Sequence, residues 1–194
     1  MNRKLLRITL IGLVALVALA AAWPALSAAV GFKVQTVKNV KTLGTQLDNT
    51  YYPGACEAPH AGVTLVVDYG SLRSGKPVVR CALHHGTDQL TGWSLFSAAG
   101  FKVAGTSDYP TGFVCRINGL PTPAQQDCLH TPTSVEGTWQ YFTARQAGGW
   151  RFSMVGSAMN RPVCGEYQGW RFVRLSEGSG PHLPRFAPTP FVCD

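Results

Sequence analysis

The stretch Val63-Thr64-Leu65-Val66-Val67-Asp68-Tyr69, followed after GSLRSGKP (residues 70–77) by Val78-Val79-Arg80-Cys81-Ala82-Leu83, decides the fold class. In an extended chain successive side chains point to opposite faces. Val63, Leu65, Val67 and Tyr69 therefore share one face, and Thr64 and Asp68 mark the other. β-branched residues at this spacing, joined through a Gly/Ser/Pro-rich loop, predict two strands of a long-looped hairpin.

Downstream, Asp88 to Ala99 is the one helical segment. Leu90, Trp93, Phe96 and Ala99 recur at spacing three and form an apolar face. Thr87 or Asp88 is placed to cap the N-terminus, and Gly100 to provide a left-handed C-terminal cap with Phe101 folding back on the last turn. Gly92 in its interior costs up to about 1 kcal/mol relative to Ala. Gly112–Gly119 predicts a strand closed by an Asn-Gly turn. Residues 120–137, with three prolines and Cys128, predict an irregular loop. Three aromatic strands follow: Trp139, Tyr141 and Thr143 alternating with Gln140 and Phe142, then Trp150 with Phe152, then Trp170 with Phe172 opposite Arg171. The expected class is α+β: a small antiparallel or mixed sheet with one packed helix, stapled by disulfides.

On the upstream side, Arg3, Lys4 and Arg7 precede an apolar run from Ile8 to Ala22. Pro24 and the small residues Ser27, Ala28 and Ala29 come next. This is the layout of a secretory signal cut near residue 28 or 29. A retained anchor is the alternative, since a spanning helix needs about 20 apolar residues. The expected organisation is a signal over 1–29, a linker over 30–55 ending in the turn Tyr51-Tyr52-Pro53-Gly54, a folded unit over 56–175, and a Pro-rich tail over 176–194.

All six cysteines (Cys56, Cys81, Cys115, Cys128, Cys164 and Cys193) follow the signal. An even count in an exported chain predicts three disulfides. Six cysteines admit many pairings; the expected one joins neighbours, Cys56–Cys81, Cys115–Cys128 and Cys164–Cys193. Zinc is the rival reading, but its sites favour cysteines two to four residues apart, and no two are that close here. The formal charge of +7 loses Arg3, Lys4 and Arg7 with the signal. The mild excess that remains is unclustered, which argues against nucleic acid and suits weak attraction to anionic envelope polymers.

Catalytic signatures are missing. There is no G-x-S-x-G, no H-E-x-x-H and no Gly-rich phosphate loop. The ten acids form no close pair in sequence. Asp68 and Asp108 sit beside turns, where acids mostly solvate or cap. His84-His85 reads as a solvated loop before the helix, since adjacent histidines on a strand point to opposite faces. Aromatics fit half-buried pleated faces, so core packing is the ordinary role for the aromatic set. The alternative is a shallow groove in which Trp139, Tyr141, Trp150 and Trp170 present apolar bodies and polar tips.

The hairpin, the helix end Ser97-Ala98-Ala99-Gly100-Phe101, the strand Phe113-Val114-Cys115-Arg116-Ile117-Asn118-Gly119, Trp139-x-Tyr141 and Gly169-Trp170-x-Phe172 together resemble the transcobalamin-like C-terminal domain. That domain is a β-grasp-like module of secreted and surface proteins, and the likeness extends to small actinobacterial envelope proteins that carry it. It covers about residues 56–175. The resemblance implies an exported, non-enzymatic binding module for a cobalamin-like or other small ligand, or for an envelope protein, in micronutrient uptake. No resident cofactor or metal is expected, and membrane contact only through a retained signal. A secreted protease inhibitor presenting the loop 120–137 is the second reading. A hydrolase finds no constellation to support it.

Overall fold

A computed structural model describes residues 51–83, 90–133, 135–146 and 148–193. The expected signal, residues 30–50 of the linker, His84-His85 and the helix-capping Thr87 and Asp88 lie outside the described residues. The described part is mostly β-sheet. In chain order the elements are β1 (Tyr51–Pro53), β2 (Gly62–Asp68), β3 (Val78–Leu83), helix α1 (Ser94–Ala98), β4 (Val103–Gly105), β5 (Val114–Ile117), β6 (Thr138–Ala144), β7 (Arg151–Phe152) and β8 (Tyr167–Val173). Short 3-10 turns occupy Gly70–Leu72 and Leu175–Glu177.

The main sheet has the order β1-β3-β2-β8-β6-β7, and β4 pairs with β5 in a separate ribbon. β2 and β3 are antiparallel, with Leu65 opposite Arg80, so the hairpin forms as its alternation predicts. β2 also runs parallel to β8, Val66 opposite Gly169, which makes the sheet mixed. β1 lies at the end of the expected linker and pairs with β3 as an edge strand. The Tyr51 ring there sits 4.6 Å from the Arg80 guanidinium, a cation–π contact that holds the edge.

Helix α1 is shorter than the periodicity predicts. Residues 90–93 are not helical. Thr91 and Ser94 exchange side-chain-to-backbone bonds, Ser94 N–H to Thr91 Oγ1 at 2.9 Å and Thr91 N–H to Ser94 Oγ at 2.8 Å. That reciprocal satisfaction of free amides starts the helix late. The Gly92 and Trp93 amides bond to Asn160 and Ser157 carbonyls instead of helical ones. The C-terminus is as predicted: Gly100 has φ +70°, and Phe101 N–H reaches Phe96 O at 2.7 Å.

One face of the sheet packs on α1 through Val63, Leu65, Val67, Leu95, Phe96, Trp139, Tyr141, Trp170 and Phe172. Burying each such side chain fully is worth about 1.5–3 kcal/mol. The other face is also covered, against the alternation-based expectation that Thr64 and Asp68 mark a polar side: every residue of β2 is buried. The cover is the tail. Residues 178–193 cross the back of the sheet without forming a strand. They are held by Trp150 Nε1–H to Phe186 O (2.6 Å), Arg171 Nη1–H to Leu183 O (2.9 Å), His182 N–H to Gln140 Oε1 (2.8 Å) and Tyr167 Oη with Thr189 Oγ1 (3.0 Å).

Asp68 is the centre of this second layer. It accepts Arg185 N–H at 2.9 Å, Arg185 Nη2–H at 2.7 Å and Gly70 N–H at 3.0 Å. Burial pushes its carboxyl up, but these bonds outweigh it and hold the group below its ordinary range. Of the two roles expected for Asp68, it caps the following turn through Gly70 N–H but does not solvate: it is a buried carboxylate tied to the tail. Asp108 is paired too, with His130 Nδ1 at 2.9 Å on the surface.

The disulfides join Cys56–Cys81, Cys115–Cys128 and Cys164–Cys193, with Cα separations of 4.7, 5.8 and 5.9 Å. Three such bridges point to an oxidising, extracellular environment. Cys115–Cys128 returns the loop 120–137 to β5, where Arg116 also binds Gln126 O. Cys164–Cys193 anchors the tail to the β7–β8 connection.

Candidate functional site

β6 and β8 bring Trp139, Tyr141, Trp170 and Phe172 to one face because Trp139 lies opposite Phe172 and Tyr141 opposite Trp170. The ring centroids are 5.5 and 4.6 Å apart. Three of the four predicted ligand-contacting residues therefore come together. They are nearly buried, at 6% exposure for Trp139, 7% for Tyr141 and 4% for Trp170, so they do not form an open aromatic platform. Trp150 is separated from them. It lies against Tyr167 and the tail on the opposite face, its ring stacked where a Cβ on Gly169 would stand. The expectation of one four-residue surface is corrected, because the loop before β7 turns Trp150 to the back of the sheet.

The three that cluster form the floor of a cavity of about 440 Å³. Phe113 and Pro132 wall one side, and the segment Phe152–Ser157 forms the other. Drug-sized ligands occupy cavities of about 300–1,000 Å³ with mostly apolar walls and a few polar groups. The cavity owes its place to a short neighbour. β7 pairs with β6 only at Phe142 and Thr143, and the last bond across is Ser153 N–H to Tyr141 O at 2.9 Å. Antiparallel backbone groups alternate in direction, so Trp139, two residues earlier, turns its N–H and C=O to that same open side.

The polar atoms of the floor differ in their state. Trp139 Nε1–H donates to Cys115 O at 3.1 Å. Tyr141 Oη accepts Asn160 Nδ2–H at 3.0 Å and bonds Gln168 Oε1. Burial raises the Tyr141 hydroxyl far above the ordinary phenol range despite the Asn160 bond, so it remains a donor at every ordinary pH. Trp170 Nε1 and Ser157 Oγ have no hydrogen-bond partner among the described residues, although both are buried and both residues line the cavity. Ser157 was not among the predicted site residues. It lies in a connection with no periodicity, and only its neighbourhood in space gives it a role.

A buried polar group without a partner costs about 1–3 kcal/mol. Two such atoms belong to residues that line one apolar cavity. Comparison with known protein families, curated proteins and solved structures found no match to this chain. The cavity and its chemistry are thus the ground for a functional reading.

Proposed function

We propose that this chain is an exported, non-enzymatic binding module whose cavity takes a small, mostly apolar ligand carrying a hydrogen-bond acceptor. The observation that supports this is the pairing of an aromatic floor, Trp139, Tyr141 and Trp170, with two buried unpartnered polar atoms at Trp170 and Ser157. An acceptor seated there takes Trp170 Nε1–H and Ser157 Oγ–H, and the ring faces pack its apolar body. The disulfide-stapled sheet holds those groups in place, which lowers the ordering cost of binding. The sheet-rich, disulfide-stapled fold is that of a small β domain, and the β-grasp-like module is the reading that the sequence resemblance supplies. A cobalamin-like ligand is the candidate that this resemblance supplies. A whole corrinoid is larger than the cavity, so it would insert an edge or side chain and rest its ring on the mouth.

The test is a tryptophan-fluorescence titration with corrinoids and with a panel of planar apolar carbonyl compounds. Binding quenches or shifts the emission of Trp170 and Trp139. Ser157→Ala weakens the acceptor-bearing ligands about fivefold and leaves their acceptor-free analogues unchanged, as one neutral hydrogen bond of about 1 kcal/mol predicts. Unchanged emission across the panel at high micromolar concentration defeats the proposal.

A further inference from the structure

The connection from β7 to β8 has a composition unlike the rest of the surface. Together with Phe152 of β7, it holds five of the twelve large apolar residues exposed among the described residues: Phe152, Met154, Val155, Met159 and Val163. Met154 is 90% exposed and Met159 75%. These are long, unbranched, adaptable side chains standing out from irregular turns. Exposed apolar side chains concentrated in one segment point to an interaction site.

The charge of the same region is one-sided. No acidic residue occurs between Glu136 and Glu166, while Arg145, Arg151 and Arg161 do. Arg145 is paired with Glu166 at 3.1 Å. Arg151 and Arg161 are exposed and have no ion pair among the described residues. Protruding apolar tips flanked by free guanidinium groups are complementary to an anionic headgroup layer over hydrocarbon. A rigid protein surface would need a matching hollow for each methionine, whereas a fluid bilayer admits them at little steric cost.

We propose that the segment 151–163 is a membrane-docking surface, which seats on an anionic bilayer with Met154, Val155 and Met159 inserted among the acyl chains and Arg151 and Arg161 on the phosphates. The contact is separate from the N-terminal apolar run, and it shares Met154 and Val155 with the wall of the cavity.

Methionine oxidation reads this contact residue by residue, so attachment through the N-terminus does not confound it. The full-length, disulfide-intact protein is treated with dilute hydrogen peroxide, and sulfoxide formation at Met154 and Met159 is followed by peptide mass spectrometry. Freely exposed thioethers oxidise readily, and burial in lipid protects them. Phosphatidylglycerol vesicles should slow both sites about tenfold, and phosphatidylcholine vesicles should have little effect. Arg151→Glu/Arg161→Glu, at two exposed unpaired positions, should abolish the protection. Oxidation at the vesicle-free rate in the presence of phosphatidylglycerol overturns the proposal. Equal protection by both lipids, or protection by polyglutamate and not by vesicles, overturns it as well, the latter in favour of an acidic protein partner.

Discussion

Replacing Arg185 with Met removes the counter-ion of a carboxylate with no solvent of its own. Asp68 is fully buried and takes three of its close contacts from the Arg185 side chain, at 2.7, 3.0 and 3.2 Å. Breaking a buried pair by deleting one partner costs about 3–5 kcal/mol. Two things reduce that here. The Arg185 side chain is about half exposed, so solvent screens part of the pair. The Gly70 and Arg185 amides also remain, with Arg171 Nη1 at 3.9 Å behind them. A loss of about 2 kcal/mol at pH 7 follows, or about 4–8 °C in melting temperature for a domain of this size.

The pH dependence is the sharper part of this prediction. In the native protein the Asp68 carboxyl lies below its ordinary value of 3.8. Its contribution is therefore complete above that value and is lost as pH falls through the depressed folded value. In Arg185→Met burial has lost its main counterweight, so the carboxyl rises above its ordinary value and stability is lost as pH climbs toward neutrality. The gap between the two proteins should be widest near pH 7 and shrink toward about pH 3.5, where the variant's carboxyl is protonated and freed of its burial penalty while the native one is still held in its depressed range. Urea unfolding with the disulfides intact, followed by tryptophan emission at both pH values, measures it. The same gap at both pH values, or a gap below about 0.5 kcal/mol at pH 7, refutes the assignment of Asp68 as a carboxylate held by the tail.

A branched side chain at Gly169 should collide with the back layer: a Cβ there stands 2.7 Å from two atoms of the Trp150 ring and 3.0 Å from Pro184. Gly169→Val is expected to destabilise by about 1–3 kcal/mol, seen in the same unfolding curves, and to loosen the tail enough to speed proteolysis after residue 178. On the surface, Asp108 raises the His130 pKa through its hydrogen bond and its charge. Asp108→Asn should therefore bring the His130 titration, followed by NMR of its ring protons, back down toward the ordinary imidazole value of 6.5, with no change in fold.

The hairpin and the aromatic strands were legible because their periodicity is local. Val63, Leu65 and Val67 share a face however the chain is packed, and so do Trp139 with Tyr141. What alternation does not encode is whether the second face is covered. Besides the Arg185 side chain, residues 178–193 contact the sheet through carbonyls of Gly180, Leu183 and Phe186, which carry no side-chain signature. The available clue was chemical: Asp68 sits in an otherwise apolar strand and needs a cation. The side taken by Trp150 was hidden for another reason, since parity is lost across the turn 146–149. β4, three residues reading Val-Ala-Gly, offers no alternation at all. Ser157 enters the site only because the amides of Gly92 and Trp93 draw the segment 156–160 against the start of the helix.

That the back of the sheet is roofed by residues 178–193 has a consequence for how the molecule is made. A chain that emerges amino end first must carry β2 with one apolar side bare until residues 178–193 arrive. β2 also has to wait for β8, about a hundred residues later, to become its parallel neighbour. Native structure is thus assembled late and nearly all at once. Any truncation ahead of Arg185 should yield a sticky, protease-sensitive product rather than a smaller version of the same protein.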